Sequence, residues 1–217
     1  MHNEEIEKLH TEIIEFYKEV KEALSPNDPY NDYYLGYQVY YSPIIFNPKI
    51  MFIGINPGPG KTEVEDIDAK TEFAYIDGGF TLARENENIF NRIGKIDVLK
   101  NKSFKTNYYY LISKSENHLN DCFYKLPKEI QSKFEIKSEE FTLKFIDLLN
   151  PEIIVCESSS VYHNMKKLLK TDTIDLDEKN CYLSKSKKRN YYLVGYGRRF
   201  SFIRNKEGLA KIIDSLL

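Results

Sequence analysis

The run Lys49-Ile50-Met51-Phe52-Ile53-Gly54-Ile55 limits the folds open to this chain more than any other segment. It is almost wholly apolar and then stops at Asn56-Pro57-Gly58-Pro59-Gly60. A strand with one wet face alternates apolar and polar residues, whereas an unbroken apolar run of this length suits a strand covered on both faces, as in a parallel sheet. Two more such runs follow, Ile153-Ile154-Val155-Cys156 after Asn150-Pro151 and Tyr191-Tyr192-Leu193-Val194 before Gly195; a fourth, Phe104 to Ile112, is more polar. Helical periodicity separates them, at about 86–99, 138–149, 161–169 and 206–217. Strand and helix alternate. This predicts a three-layer α/β/α sandwich with a short, mainly parallel central sheet, whose ligands bind at the carboxyl ends of the strands.

Ahead of the first buried run, Ile6, Leu9, Ile13, Phe16, Tyr17, Val20 and Leu24 recur at intervals of three and four, which predicts a packing helix over about 4–24. Residues 25–42 carry turn formers and six tyrosines, Tyr30, Tyr33, Tyr34, Tyr37, Tyr40 and Tyr41, which are expected to pack over the core rather than to stack on bases. With 217 residues, no internal repeat and no dividing linker, the chain is expected to form one domain over 1–217, with 1–45 as a helix and Tyr-rich extension packed on it.

Charge excludes several function classes. With 31 Lys+Arg against 33 Asp+Glu the formal net charge is -2, so a nucleic-acid role must rest on a local patch. No apolar run approaches the roughly 20 residues of a membrane span, and the acidic start MHNEEIEK is unlike a signal peptide, which predicts a cytoplasmic protein with no membrane partner. The cysteines Cys122, Cys156 and Cys181 are odd in number and far apart, and His2, His10, His118 and His163 have no metal-ligand spacing. Neither a disulfide framework nor a metal site is expected.

The loop after the first strand admits two readings. A phosphate-binding P-loop needs G-x-x-x-x-G-K-[ST]; counting back from Gly60-Lys61-Thr62, the first glycine falls on Ile55, one residue off Gly54, and Pro57 and Pro59 remove backbone donors that such a loop uses. The alternative rests on the order of several motifs. Gly54-Ile55-Asn56-Pro57-Gly58 closes the first buried strand, Asn88-Ile89-Phe90-Asn91-Arg92-Ile93 falls in the helix that follows, Thr106-Asn107-Tyr108 lies in the second strand, and Leu148-Leu149-Asn150-Pro151-Glu152-Ile153-Ile154-Val155 leads into the third. In that order they resemble the uracil-DNA glycosylase superfamily, in particular its mismatch-specific and single-strand-selective branches, over about residues 49–214.

The resemblance implies an N-glycosidic hydrolase that needs no cofactor, acts as a monomer and takes single- or double-stranded DNA as its partner. Asn56 would orient the attacking water, Asn107 would read the flipped base, and Gly54, Ile55, Pro57 and Gly58 would lie around that base. Phe73, or failing it Tyr75 or Phe80, would stack on it. Two positions depart from the family. Its last motif, His-Pro-Ser or Asn-Pro-Ser, is replaced by Gly195-Tyr196-Gly197-Arg198-Arg199-Phe200-Ser201, and Glu157 stands where the third strand ordinarily ends in glycine. Tyr196 and Arg198 are then the available polar groups for stabilising the leaving base.

These assignments also make chemical sense. A base must leave the stack before its glycosidic bond can be reached. Asn56 can place a water through its side-chain carbonyl but is no strong base; Asn107 offers one acceptor and one donor in a plane, enough for the N3–H and O4 of uracil. From Tyr182 to Lys206 there are eight Lys or Arg and no acid, so Lys187, Lys188, Arg189, Arg199 and Arg204 are expected to face the DNA backbone. Against this, the 63–77 stretch is strongly acidic and would repel DNA unless it points away. A catalytically silent nucleic-acid-binding domain and a P-loop-like nucleotide hydrolase are the alternative functions.

Overall fold

A computed structural model describes residues 2–27, 33–58, 64–76 and 78–217. The first part of the chain forms α1 (His2–Leu24), β1 (Gly36–Gln38), β2 (Ile50–Gly54), β3 (Val64–Asp66), α2 (Thr81–Arg92), α3 (Ile96–Asn101) and β4 (Ser103–Asn107). The second part forms α4 (Glu116–Lys125), α5 (Lys128–Leu149), β5 (Ile153–Cys156), α6 (Ser159–Leu169), β6 (Asp172–Ile174), β7 (Cys181–Lys185), β8 (Tyr192–Tyr196), β9 (Arg198–Arg199), β10 (Phe202–Ile203) and α7 (Lys206–Leu216). Contacts group these elements into two compact units, one from 1–40, 56–68 and 107–148, the other from 41–55, 69–106 and 149–217.

The second unit holds the expected α/β fold. Its six-stranded sheet runs β4-β2-β5-β8-β7-β6, with β2, β5 and β8 parallel and β7 and β6 antiparallel at one edge. The apolar runs account for the centre: β2 and β5 are buried at every residue, as strands covered on both faces must be. Ile50, Phe52, Ile153, Val155 and Val194 turn to one face and pack with residues of α2, α3 and α7. On the opposite face α6 lies against β5 and β8. β8 runs on through Gly195, where a Cβ would come within 2.5 Å of Tyr162 on α6, so this glycine lets helix and sheet approach instead of ending the strand. The helix expected over 86–99 is two helices, because Gly94 adopts φ +68 and turns the chain between α2 and α3.

The first unit is built on aromatic packing. Every apolar position assigned to the N-terminal helix is buried, and Phe16 and Tyr17 of α1 meet Phe134, Phe141, Tyr37 and Tyr110. Tyr17 also accepts a hydrogen bond from the Tyr110 backbone N–H at 2.9 Å. Tyr34, Tyr37 and Tyr40 are core residues, as packing tyrosines should be; Tyr30 lies outside the described residues. β1 and β3 pair in parallel through Gly36↔Val64, a contact that only glycine permits, since a Cβ there would sit 1.8 Å from the Val64 carbonyl oxygen. Part of the acidic stretch is thereby tied down: Glu65 of β3 accepts from Lys21 at 2.8 Å and from the Tyr34 hydroxyl at 3.2 Å. Among the described residues no helix is long and apolar enough to cross a membrane.

Candidate functional site

Strand order locates the crevice. From β2 the chain crosses to β4 on one side and then to β5 on the other, so β2 and β5 flank a topological switch point, where open α/β sheets bind ligands beyond the strand carboxyl ends. β2 delivers the chain from Gly54 directly into Ile55-Asn56, and β5 delivers it into Glu157, whose backbone N–H donates to the Ile53 carbonyl at 2.9 Å.

In the first unit, Asn56 is fixed by its own amide. Its Nδ2 donates to the Pro57 carbonyl at 2.8 Å and to Ser113 Oγ at 2.7 Å. Ser113 is buried and returns its own backbone N–H to the Pro57 carbonyl at 3.1 Å, while its hydroxyl donates to the Ser115 carbonyl at 2.8 Å. With both amide hydrogens engaged, the acceptor Oδ1 is the group Asn56 has left to offer, and the side chain is only half-buried. An oriented carbonyl oxygen with access to solvent can hold a water. Ser113 was not among the expected site residues; a serine in a polar stretch carries no signal until the fold sets it against the loop. Pro57 is buried and Gly58 exposed, with open space where a Cβ would point. Asn107 is the last residue of β4, only 4% exposed. Residues 59–63, including the Gly60-Lys61-Thr62 of the P-loop reading, lie outside the described residues.

In the second unit, a buried charged cluster joins the middle of one strand to the carboxyl end of another. Lys105, in the middle of β4, is paired with Glu157, the residue just past β5; their side chains are 6% and 2% exposed. The Tyr75 hydroxyl donates to the other carboxylate oxygen of Glu157. The Lys105 ammonium lies 4.7 Å from the Tyr75 ring centre and 5.6 Å from that of Tyr41, a favourable setting for a buried cation. Its backbone is held as well: the N–H donates to Ser42 Oγ at 3.0 Å and the carbonyl accepts from the Tyr41 N–H at 3.1 Å. Burial pulls the Lys105 pKa down while the Glu157 carboxylate opposes the shift. Burial, reinforced by Glu157, pushes the Tyr75 hydroxyl well up.

Tyr196 ends β8 inside the same unit, fully buried. Burial and then Glu157 raise its hydroxyl pKa, while Arg198 and the neighbouring Asn86 amide pull the other way. The Asn86 contact falls short of good hydrogen-bond geometry. Arg198, half-exposed, opens a two-stranded hairpin in which β9 pairs with β10. At its tip Phe200 takes φ +56, a left-handed conformation rare for a bulky residue, and is 87% exposed; Phe202 is 56% exposed. Arg199 and Arg204 are exposed beside them.

Two expectations need correction. Phe73 is a core anchor, 2% exposed and in ring contact with Phe52 and Tyr75, because its loop folds back over β2; of the aromatics in that loop Phe80 reaches the surface, at 45%. The basic run is also split. Lys187, Lys188 and Arg189 sit in the turn from β7 to β8, at the amino end of β8, whereas Arg198, Arg199 and Arg204 follow its carboxyl end. Five residues of strand, roughly 16 Å at about 3.3 Å each, separate the two groups. Lys187 is bound to Asp172 at 3.0 Å besides. A cavity of about 330 Å³ lined in part by Pro43, Ile45, Lys100 and Asn101 involves residues that precede β2 and β4, away from the strand ends described above. Among the described residues no group of three or more His, Cys, Asp or Glu is placed to hold a metal ion, and all three cysteines are buried and form no disulfide. No family model matches the chain, and no curated protein matches it.

Proposed function

We propose that this protein is a DNA glycosylase that removes uracil or a related damaged base, acting in the cytoplasm as a monomer. The observation that carries the reading is the Asn56 amide, whose two donated bonds leave its carbonyl oxygen as the acceptor it can offer just past the end of β2. In the reaction, the C1′–N bond breaks with its electron pair leaving on the base. A water held by Asn56 adds its oxygen to C1′, and the proton it sheds goes to solvent or to the departing anion. An amide supplies position rather than basicity, so the rate gain comes from placement of water and from stabilisation of the anion. Asn107 supplies the donor and acceptor that read the base edge.

The hairpin tip favours nucleic acid over a nucleotide substrate. Two exposed phenylalanines between arginines suit stacking on, or wedging between, bases while the arginines take phosphates, a combination used by single-strand binders and duplex-kinking proteins alike. The experiment is incubation of the purified protein with single- and double-stranded oligonucleotides carrying uracil and several other damaged bases, followed by alkaline cleavage at abasic sites. Cleavage dependent on the damaged base is the expected result. Binding to every strand with cleavage of none would favour the silent nucleic-acid-binding domain instead.

A further inference from the structure

The amino ends of the central strands carry a charge that the chemistry proposed at their carboxyl ends does not use. β2, β5 and β8 run parallel, β7 runs against β8 and β6 against β7, so the end of β7 and the start of β6 lie at the amino end of β8. Register sets Lys185 between Asp172 and Tyr192. α6 leads from the end of β5 to the start of β6 and brings its last turn to the same place, where Lys166 donates to Thr173. The two segments that meet there, 166–172 and 185–192, hold seven Lys or Arg and one acid, Asp172, a net +6 in 15 residues. The whole chain is -2, so its other 202 residues carry -8.

Part of this charge has local duties. Lys166 and Lys167 complement the dipole of the last turn of α6, Lys185 lies 5.0 Å from the Tyr192 ring centre, and Lys187 holds Asp172 at 3.0 Å. Those duties do not account for Lys170, Lys188 and Arg189, all exposed. Lys170 ends α6 at φ +51, a conformation that glycine adopts more easily. The turn that bears Lys188 and Arg189 is fixed, because the buried Ser186 accepts from their backbone N–H groups at 3.3 and 3.0 Å. Elsewhere in this unit surface cations sit on carboxylates, as in Lys49 with Glu152, Arg92 with Glu207 and Lys211 with Glu178.

We propose that this pole is a second nucleic-acid contact, which holds a phosphodiester backbone through Lys170, Lys188 and Arg189. It rests on the proposed function only for taking DNA as the polyanion. Charge complementarity names the occupant. A lipid surface calls for apolar side chains to insert as well, and among the described residues none of the exposed large apolar side chains falls in the two segments. β8 separates this pole from Arg198 and Arg199 by roughly 16 Å, about five base steps at 3.4 Å, so the contact falls on DNA that flanks the lesion.

The test is Lys188→Gln with Arg189→Gln, set against Arg92→Gln with Lys211→Gln, which removes the same charge from matched pairs of the same unit. Fluorescence anisotropy on undamaged oligonucleotides between 50 and 200 mM salt reads the affinity. The pole variant should shrink the slope of log K against log salt by about 1.8 on duplex and about 1.4 on single strands, while the control keeps the wild-type slope. On duplex this makes the loss of affinity across that salt range roughly tenfold smaller than in wild type. If the double variant does not fold, Lys170→Gln serves, with about half the change. A folded variant with wild-type affinity and slope overturns the proposal, as does an equal change in the control, which would mean bulk charge. So does a wild type that binds no DNA, or a variant that loses only its binding to anionic phospholipid vesicles. Wild-type DNA binding without base release would defeat the glycosylase reading, and the salt slope would still decide this one.

Discussion

Lys105→Met alone puts the buried pair under the sharpest stress. The substitution preserves length and most of the volume, so no large cavity opens, but it leaves the Glu157 carboxylate 2% exposed with the Tyr75 hydroxyl still donating to it. Breaking a buried pair by removing one partner costs about 3–5 kcal/mol, because the remaining charge is desolvated and uncompensated. For a chain of this size each kcal/mol lowers the melting temperature by roughly 2–4 °C, which gives a drop of about 6–20 °C. Thermal melts followed by circular dichroism measure it. A loss under about 2 °C would refute the reasoning.

Three further outcomes are expected. Asn107→Asp exchanges the amide donor for an acceptor, so uracil release should weaken and cytosine, whose N4 amine donates, should be admitted; release assays on paired oligonucleotides check this, and an unchanged uracil preference would mean another group reads the base. Gly195→Ala would bring a Cβ within 2.5–2.7 Å of Tyr162, an overpacking that should cost about 1–3 kcal/mol by denaturant titration, and a neutral effect would contradict the packing of α6 on β8. In the first unit, the hydrogen bond from Lys144 holds the Glu12 pKa below its ordinary value, so the pair's contribution is present above the unfolded pKa and lost as pH falls through the folded one. Glu12→Gln should therefore flatten the acid limb of stability against pH by under about 1 kcal/mol, and an unchanged limb would show that the pair contributes nothing.

The parts of the fold visible in the sequence are those where one physical demand dominates. β2 and β5 are apolar throughout because both faces are covered, and α1 shows its buried stripe because one face alone is. Where demands mix, the signal fades. α4 carries only two buried residues, Leu119 and Cys122, and starts from a Ser115 cap in a polar stretch. The antiparallel edge is hard to read for a similar reason: β6 is exposed at every position, and the turn between β7 and β8 folds a basic run back on itself. The Gly54–Gly58 motif could be found because its chemistry is local. The Lys105–Glu157 pair could not, since a lysine inside a strand and a glutamate after another each suggest surface until strand order sets them side by side. The exposed Phe200 and Phe202 likewise lie in a segment whose dominant sequence signal is its charge.

The most direct measurement is single-turnover release of uracil from a defined oligonucleotide by wild type and by Asn56→Ala, with the affinity of each for the same strand recorded alongside. If Asn56 holds the attacking water, wild type leaves abasic sites and the variant slows their formation at least about 100-fold while binding the strand nearly as well, because the lost contact matters chiefly as the bond breaks. Equal release by both proteins, or no abasic sites from wild type at saturating enzyme on any strand of the panel, would contradict the account.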